Sequence, residues 1–379
     1  MAVVTCIEDL RELSRKRVAR AIFDYVDRGS YAEATLRANR ADLELLTLRQ
    51  RVGLDVDNRS TRSTMLGEQV TMPLALAPVG LAGLNWADGE ILAARAAARF
   101  GVPFTLSTMS ICSIEDVAGA VARPFWFQLY VMRDRGFAAS LIERAKAAGC
   151  SALVLTLDLQ IQGQRHRDLK NGLAVPPRLT FATALDIMTK PSWALNVLRG
   201  KRKSFGNLEG RIPDAKSLST LSQWIAGQFD PTLSWKDVEW VKKLWGGKLV
   251  LKGILDVEDA KIAAESGADA LVVSNHGGRQ LDGTLSSVRA LPDIAAAVGD
   301  KLEVWLDGGI RSGQDVLRAL ALGARAALIG RAYVYGLGAL GEPGVALALE
   351  LIRRELDVTM ALCGLRDVRA ASPAILTRA

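Results

Sequence analysis

From about residue 73 the chain settles into a rhythm: short apolar runs, each ending in polar or glycine residues, alternate with alanine-rich stretches of helical period. The apolar runs predict strands over 73–77, 103–107, 125–130, 152–157, 248–252, 270–274, 303–307 and 326–330. Helices are predicted near 87–100, 113–121, 135–148, 234–245, 257–266, 287–298, 312–322 and 343–357. Eight strands, each followed by a helix, close most economically as a parallel (β/α)8 TIM barrel. Ahead of them, Leu10, Leu13, Val18, Ile22 and Tyr25 or Val26 share one face of a helix over 7–28 that Gly29 stops. The expected organisation is one α/β domain over 1–379, with an N-terminal helical segment (1–60), a barrel (61–379) and an insertion (176–235) after the fourth barrel strand.

Composition changes this picture little. At 49% hydrophobic and 23% charged, the 379 residues are ordinary for a globular enzyme. Residues 70–87 carry no charge, but Pro73, Pro78, Gly80 and Gly83 interrupt them, so a buried strand and loop is expected rather than a spanning helix. The start, MAVVTCIEDLRELSRKR, lacks the basic end, apolar run and cleavage site of a secreted protein. Cys6, Cys112, Cys150 and Cys363 are scattered without metal or disulfide spacing, which fits a reducing compartment and no bound metal. Net charge of +7 suggests an anionic ligand or surface; no zinc spacing, RNA-binding motif or basic run with aromatics points to nucleic acid.

In a barrel of this kind the C-terminal ends of the strands share one mouth. The sequence places there Pro78, Val79 and Gly80, then Ser107, Gln128 with Tyr130, Thr156 with Asp158, and Lys252. The later strands add Ser274, His276 and Arg279, Asp307, Gly308, Gly309 and Arg311, and finally Gly330 and Arg331. Hydroxyl, amide and ammonium groups from several strands suit the polar edge of a flat heterocycle. Glycines and arginines after strands seven and eight suit a phosphate. A histidine that titrates near neutrality beside a guanidinium fork suits proton removal from an anionic substrate, although each such turn by itself also reads as an ordinary glycine-rich surface loop.

The stretch Ser-Asn-His-Gly-Gly-Arg-Gln-Leu-Asp at 274–282 carries a specific resemblance. With Leu-Ala-Pro-Val-Gly at 76–80, Trp-Phe-Gln-Leu-Tyr-Val at 126–131, Arg-Asp-Arg-Gly-Phe at 133–137, Ser-Trp-Lys-Asp at 234–237 and Leu-Lys-Gly-Ile-Leu-Asp at 251–256, it resembles the FMN-dependent L-2-hydroxy acid dehydrogenase and oxidase family, over nearly the whole chain. The nearest likeness within it is to bacterial respiratory L-lactate dehydrogenases. The resemblance implies FMN as cofactor, His276 as the base and Asp158 as the carboxylate that steadies its imidazolium. It also implies Arg279, Arg165, Tyr25 and Tyr130 as substrate ligands, and Lys252 beside the flavin N1 and C2 carbonyl. Ser107, Gln128 and Thr156 would bond the ring edge, Asp307 the ribityl chain, and Gly309, Arg311, Gly330 and Arg331 the phosphate. His166 is expected at the surface. Two departures from the pattern bear on the substrate end: Arg17-Val18-Ala19-Arg20 lacks the proline of many relatives, and Met109 stands where glycolate oxidases carry an aromatic.

The gap between Asp158 and Lys248 far exceeds a usual connection. Within 176–235, eight cations (Arg178, Lys190, Arg199, Lys201, Arg202, Lys203, Arg211, Lys216) outnumber four acids (Asp186, Glu209, Asp214, Asp230), a balance of +4. Trp193, Leu195, Val197 and Leu198 lie close by. This composition suits an anionic membrane surface, and equally a solvated active-site lid. In membrane-bound relatives the corresponding loop meets the membrane and a quinone takes the electrons; relatives form tetramers. The expected activity is therefore oxidation of a small L-2-hydroxy acid, foremost L-lactate to pyruvate, by an enzyme peripheral to the inner face of the cell membrane. The alternatives are an oxidase using oxygen, a mandelate dehydrogenase, another FMN barrel such as the type 2 isopentenyl diphosphate isomerase, and a silent barrel that only binds a phosphorylated ligand.

Overall fold

The computed structural model describes residues 3–173, 180–209 and 224–377. Eight parallel strands form one sheet in the order β3-β10-β9-β8-β7-β6-β5-β4. They are β3 (Leu74–Leu76), β4 (Thr105–Ser107), β5 (Trp126–Leu129), β6 (Ala152–Thr156), β7 (Lys248–Ile254), β8 (Ala270–Val273), β9 (Glu303–Leu306) and β10 (Ala326–Ile329). A bridge between Leu76 and Phe104 joins β3 to β4 and closes the barrel. The (β/α)8 architecture expected from the alternation is the architecture found.

Strands buried on both faces separate their side chains into two cores. Inside the barrel stand Ala75, Val154, Val250, Val272 and Leu328 around Trp126 and Trp305, whose rings stack 5.3 Å apart. The alternate positions, such as Leu76, Leu106, Phe127, Leu153 and Leu271, face the surrounding helices. Filling the lower barrel with two tryptophans leaves the strand C-termini as the open end. A short hairpin of β1 (Ser63–Met65) and β2 (Glu68–Val70) plugs the opposite end with Met65 and Val70, and Glu303 accepts from the Leu66 N–H at 3.0 Å.

The N-terminal segment differs from the single helix predicted over 7–28. It forms α1 (Ile7–Arg17) and α2 (Arg20–Asp27), separated by Val18 and Ala19 with extended ψ angles of 144° and 136°. Both residues at the break are buried, so tertiary packing takes them out of the helical path without a proline. A third helix, α3 (Ala34–Leu45), has no clear apolar stripe because Thr35 and Asn39 share its buried face with Leu43. After β10 the chain makes two helices, Arg331–Leu340 and Glu342–Leu362, where the sequence pattern predicted one over 343–357.

The insertion lies over the mouth and side of the barrel in its described parts. Helices Phe181–Met188 and Pro191–Arg199 are anchored by polar groups: Asp186 accepts from the Arg20 N–H at 2.6 Å, Asn196 from the Ala87 N–H at 2.9 Å, and Trp193 donates to the Leu84 carbonyl at 2.9 Å. Buried Asn207 donates to Ser110 Oγ at 3.1 Å and accepts from the Ile114 N–H at 2.9 Å. The basic cluster does not face outward as a unit: Lys201 and Arg202 both pair with Asp116, and Lys203 bonds the Val197 carbonyl. Arg178, Arg211, Asp214 and Lys216 lie outside the described residues. Among the described residues no helix is long and apolar enough to cross a membrane.

Candidate active site

At the C-terminal ends of the strands a cavity of about 270 Å³ is lined by loops from most of the barrel. The loop after β8 dominates it. His276 takes a left-handed φ of 57°, followed by Gly277 and Gly278 at 64° and 72°, a run that folds the chain back on itself and turns the imidazole inward. Strained backbone of this kind persists where surrounding structure enforces it. Here Gln280 supplies part of that enforcement, donating to the Asp158 and Ile161 carbonyls at 2.6 and 2.9 Å, while Asn275 and Asn39 exchange side-chain hydrogen bonds of 2.8 Å.

His276 Nδ1 lies 2.9 Å from Asp158 Oδ1 on the loop after β6. The close approach of Asp158 to β7 depends on Gly253, at φ +103°, where a Cβ would stand 2.7 Å from the carboxyl carbon. Burial lowers the His276 pKa, and the Lys252 and Arg165 charges add to that, against the opposing pull of Asp158. The imidazole is thereby a neutral base near pH 7 with Nδ1 committed to the carboxylate. Asp158 stays ionised because the hydrogen bond from His276 and the charge of Lys252 outweigh its own burial.

Two guanidinium groups face the same space. Arg165 bonds the Arg279 carbonyl at 3.3 Å, and Arg279 bonds the Tyr25 carbonyl and, at 3.1 Å, that of Arg28. Among the described residues neither has a carboxylate within ion-pair range, and burial together with Arg279 depresses the Arg165 pKa. The Arg279 guanidinium stacks over the Tyr25 ring at 4.7 Å, and a Cβ on Gly80 would stand 3.3 Å from the Tyr25 hydroxyl. Burial raises the Tyr130 pKa, keeping its phenol a neutral donor.

Deeper in, Lys252 Nζ contacts Asp307 Oδ2 at 2.8 Å and Ser274 Oγ at 3.0 Å. Burial opposes its charge, but Asp307 and Asp158 raise its pKa overall, so it remains an ammonium. Ser107 Oγ donates to Gln128 Oε1 at 3.2 Å. Gln128 Nε2, Thr156 Oγ1 and Asp307 Oδ1 are buried without a partner among the described residues, although buried polar atoms are nearly always satisfied.

Pro78, Val79 and Gly80 also line the cavity, and Gly308, Gly309, Arg311, Gly330 and Arg331 line its far end. Among the described residues Arg331 bonds only carbonyls, those of Val26, Gly277 and Arg28, and burial, with Arg279 and Arg311 close by, pushes it down to about 10. A guanidinium does not give up its proton in such a place; it takes an anion. Unpaired donors and acceptors at the strand ends, a glycine cradle and two cations at one end fit a flat heterocycle joined through a polyol to a phosphate, as FMN is.

The family model for FMN-dependent dehydrogenases matches residues 14–378. The chain belongs to the FMN-dependent dehydrogenase family. It is 51% identical over 375 residues to an L-lactate dehydrogenase of Caulobacter vibrioides, covering 99% of this chain and 98% of the relative. It is 49% identical over 377 residues to that of Caulobacter sp. strain K31, covering 99% of both. Among solved structures, a monotopic membrane protein, (S)-mandelate dehydrogenase, superposes with a TM-score of 0.95 at 37% identity, covering 100% of both chains. As a member of this family the chain is an FMN-dependent oxidoreductase.

Of the residues singled out from the sequence, Gln128, Asp158 and Ser274 stand one layer behind the cavity wall, each touching a residue that lines it, and Thr156 lines a small adjoining hollow beside Tyr130. The rest line the cavity itself. Sequence reasoning missed Asn39 and Arg40 on α3, Gln280, and the insertion's Phe205, Ile225 and Phe229, which roof the mouth. Gln280 was legible as part of the 274–282 stretch; the others carry no local signal, since they reach the site only through tertiary packing. His166 lies away from the cavity, edge-on to the Tyr31 ring at 5.8 Å.

Proposed function

We propose that the chain, acting as one unit over 1–379, oxidises L-lactate to pyruvate and passes the electrons to a quinone. The observation that carries this reading is the pairing, in one cavity, of two guanidinium groups that have no carboxylate partner among the described residues with an imidazole oriented by a carboxylate. Relatives about half identical over nearly their full length bear the L-lactate dehydrogenase name, which favours lactate over the mandelate of the structural neighbour.

In this reading Arg165 and Arg279 hold the substrate carboxylate, and Tyr25 and Tyr130 donate to its carboxylate and hydroxyl oxygens. His276 takes a proton from the substrate, and Asp158 holds the resulting imidazolium in place. Bound FMN supplies the two-electron acceptor. Ser107, Gln128 and Thr156 would hold the ring edge, with Pro78, Val79 and Gly80 as further cofactor contacts. Lys252, steadied by Ser274, places positive charge where reduction builds negative charge. Asp307 takes the ribityl chain, and Gly308, Gly309, Arg311, Gly330 and Arg331 take the phosphate. Phe205, Ile225 and Phe229 exclude water over the substrate.

Helices Phe181–Met188 and Pro191–Arg199 turn Phe181 (86% exposed), Met188 (73%) and Leu198 (67%) outward while their polar groups bind the barrel. Such a face seats the protein on the inner side of the cell membrane, an anionic surface where a quinone is at hand, with oligomerisation to a tetramer compatible with it. Turnover with a soluble quinone analogue under anaerobic conditions tests the reading: pyruvate should form in step with quinone reduction, with L-lactate preferred to (S)-mandelate and D-lactate inert. Peroxide production from air at a comparable rate would assign the oxidase alternative instead, and a preference for (S)-mandelate would reassign the substrate.

A further inference from the structure

The C-terminal turn of α2 holds both ends of the site at once. Its Tyr25 and Arg28 carbonyls accept from Arg279, and its Val26 and Arg28 carbonyls accept from Arg331 at 2.9 and 3.1 Å. Carbonyls left free at a helix C-terminus carry partial negative charge and suit guanidinium groups. Between these carbonyls, Asp27 points the other way. Its carboxylate takes a two-pronged bond from Arg11, 2.6 and 2.9 Å long, and a 2.7 Å bond from the Tyr335 hydroxyl. That same hydroxyl accepts from Arg311 Nη2 at 3.3 Å. Two arginines of the cavity, Arg279 and Arg331, thus hang from one turn, and the buried Asp27 carboxylate beneath it also holds the hydroxyl that meets a third, Arg311.

We infer that Asp27 is a positioning residue: with Arg11 and Tyr335 it fixes the turn that mounts Arg279 for the substrate and Arg331 for the flavin phosphate, and through the Tyr335 hydroxyl it reaches Arg311. This rests on the roles proposed above for those arginines. The chemistry favours orientation over stability as its purpose. A buried ion pair gains little net stability over apolar residues of similar volume, because desolvating two charges offsets their attraction, whereas it does define geometry. Arg11 lies on α1 and Tyr335 on helix Arg331–Leu340, so the anchor ties the two helices that flank the turn to the cavity.

Full-length protein freed of flavin and titrated with FMN and with riboflavin, which lacks the phosphate, separates positioning from general damage. Asp27→Asn should cut the preference for FMN over riboflavin about tenfold and raise the L-lactate KM about tenfold with kcat changed less than about threefold. Tyr335→Phe, which deletes one hydroxyl and spares the fold, should cut the preference about threefold and leave KM alone. Preferences within about twofold of the parent in both variants would overturn the inference. Arg331→Met in the same titration tells the two failures apart: if it abolishes the preference the phosphate reading stands, and if it does not, that reading falls too.

Discussion

His276 Nδ1 and Asp158 Oδ1 sit 2.9 Å apart although they belong to loops after β8 and β6, with β7 between those strands in the sheet. The contact depends on backbone that few residues tolerate: His276 at φ 57° and Gly253 at φ +103°. It commits one imidazole nitrogen to a carboxylate and leaves Nε2 for the substrate. His276→Ala should therefore bind FMN normally and slow reduction by the substrate about 10²- to 10⁴-fold, the usual worth of a positioned base. Anaerobic stopped-flow spectra of the flavin band measure this; reduction near the parent rate would remove His276 from the role.

The pH profile follows from the direction of the His276 shift. Burial lowers its pKa below the ordinary 6.5, so the base stays neutral through pH 7, and kcat/KM should fall only as pH drops through that lowered value. Asp158 raises the His276 pKa; Asp158→Asn should move the acid limb to still lower pH while reducing the plateau rate. An acid limb that moved upward in the variant would contradict the assignment of the limb to His276.

Gly309 tests the phosphate end. At φ +90° it packs against α3 so closely that a Cβ would lie 2.3 Å from the Asn39 carbonyl oxygen. Gly309→Ala should cost about 1–3 kcal/mol of stability and empty much of the protein of flavin, read from the melting curve and the visible-to-ultraviolet absorbance ratio. A variant as yellow and as stable as the parent would show that α3 yields there.

Membrane seating and insertion docking make opposite predictions for neighbouring residues. Replacing Phe181, Met188 and Leu198 together with Ser should release the protein from anionic vesicles and leave turnover with a soluble acceptor unchanged. Asp116→Asn, which unpairs Lys201 and leaves Arg202 only its longer contact with Glu209, should instead loosen the insertion and raise its proteolytic nicking, with vesicle binding retained. Cosedimentation and limited proteolysis read the two outcomes, and vesicle binding that ignored the apolar substitutions would sink the proposed membrane face.

The barrel was legible because its strands are buried on both faces and read as unbroken apolar runs between helices of clear period. The residues at their ends were legible for the same reason, since a strand's terminus fixes where its next side chain goes. Illegible were the parts shaped by distant contacts. Thr35 and Asn39 blur the stripe of α3 because they are buried to bond the segment between β8 and the helix that follows it, not to pack apolar surface. The helix break at Val18 and Ala19 has no proline or glycine to announce it. The basic run at 201–203 suggested a surface patch, yet Asp116, far off in sequence, neutralises part of it.

The most direct test is the visible spectrum of the purified protein in a sealed, oxygen-free cuvette before and after excess L-lactate, with D-lactate as control. The account predicts a flavin band that L-lactate bleaches and D-lactate leaves intact. A flavin band untouched by L-lactate would contradict the assignment of substrate, and a colourless protein that cannot take up FMN would contradict the site itself.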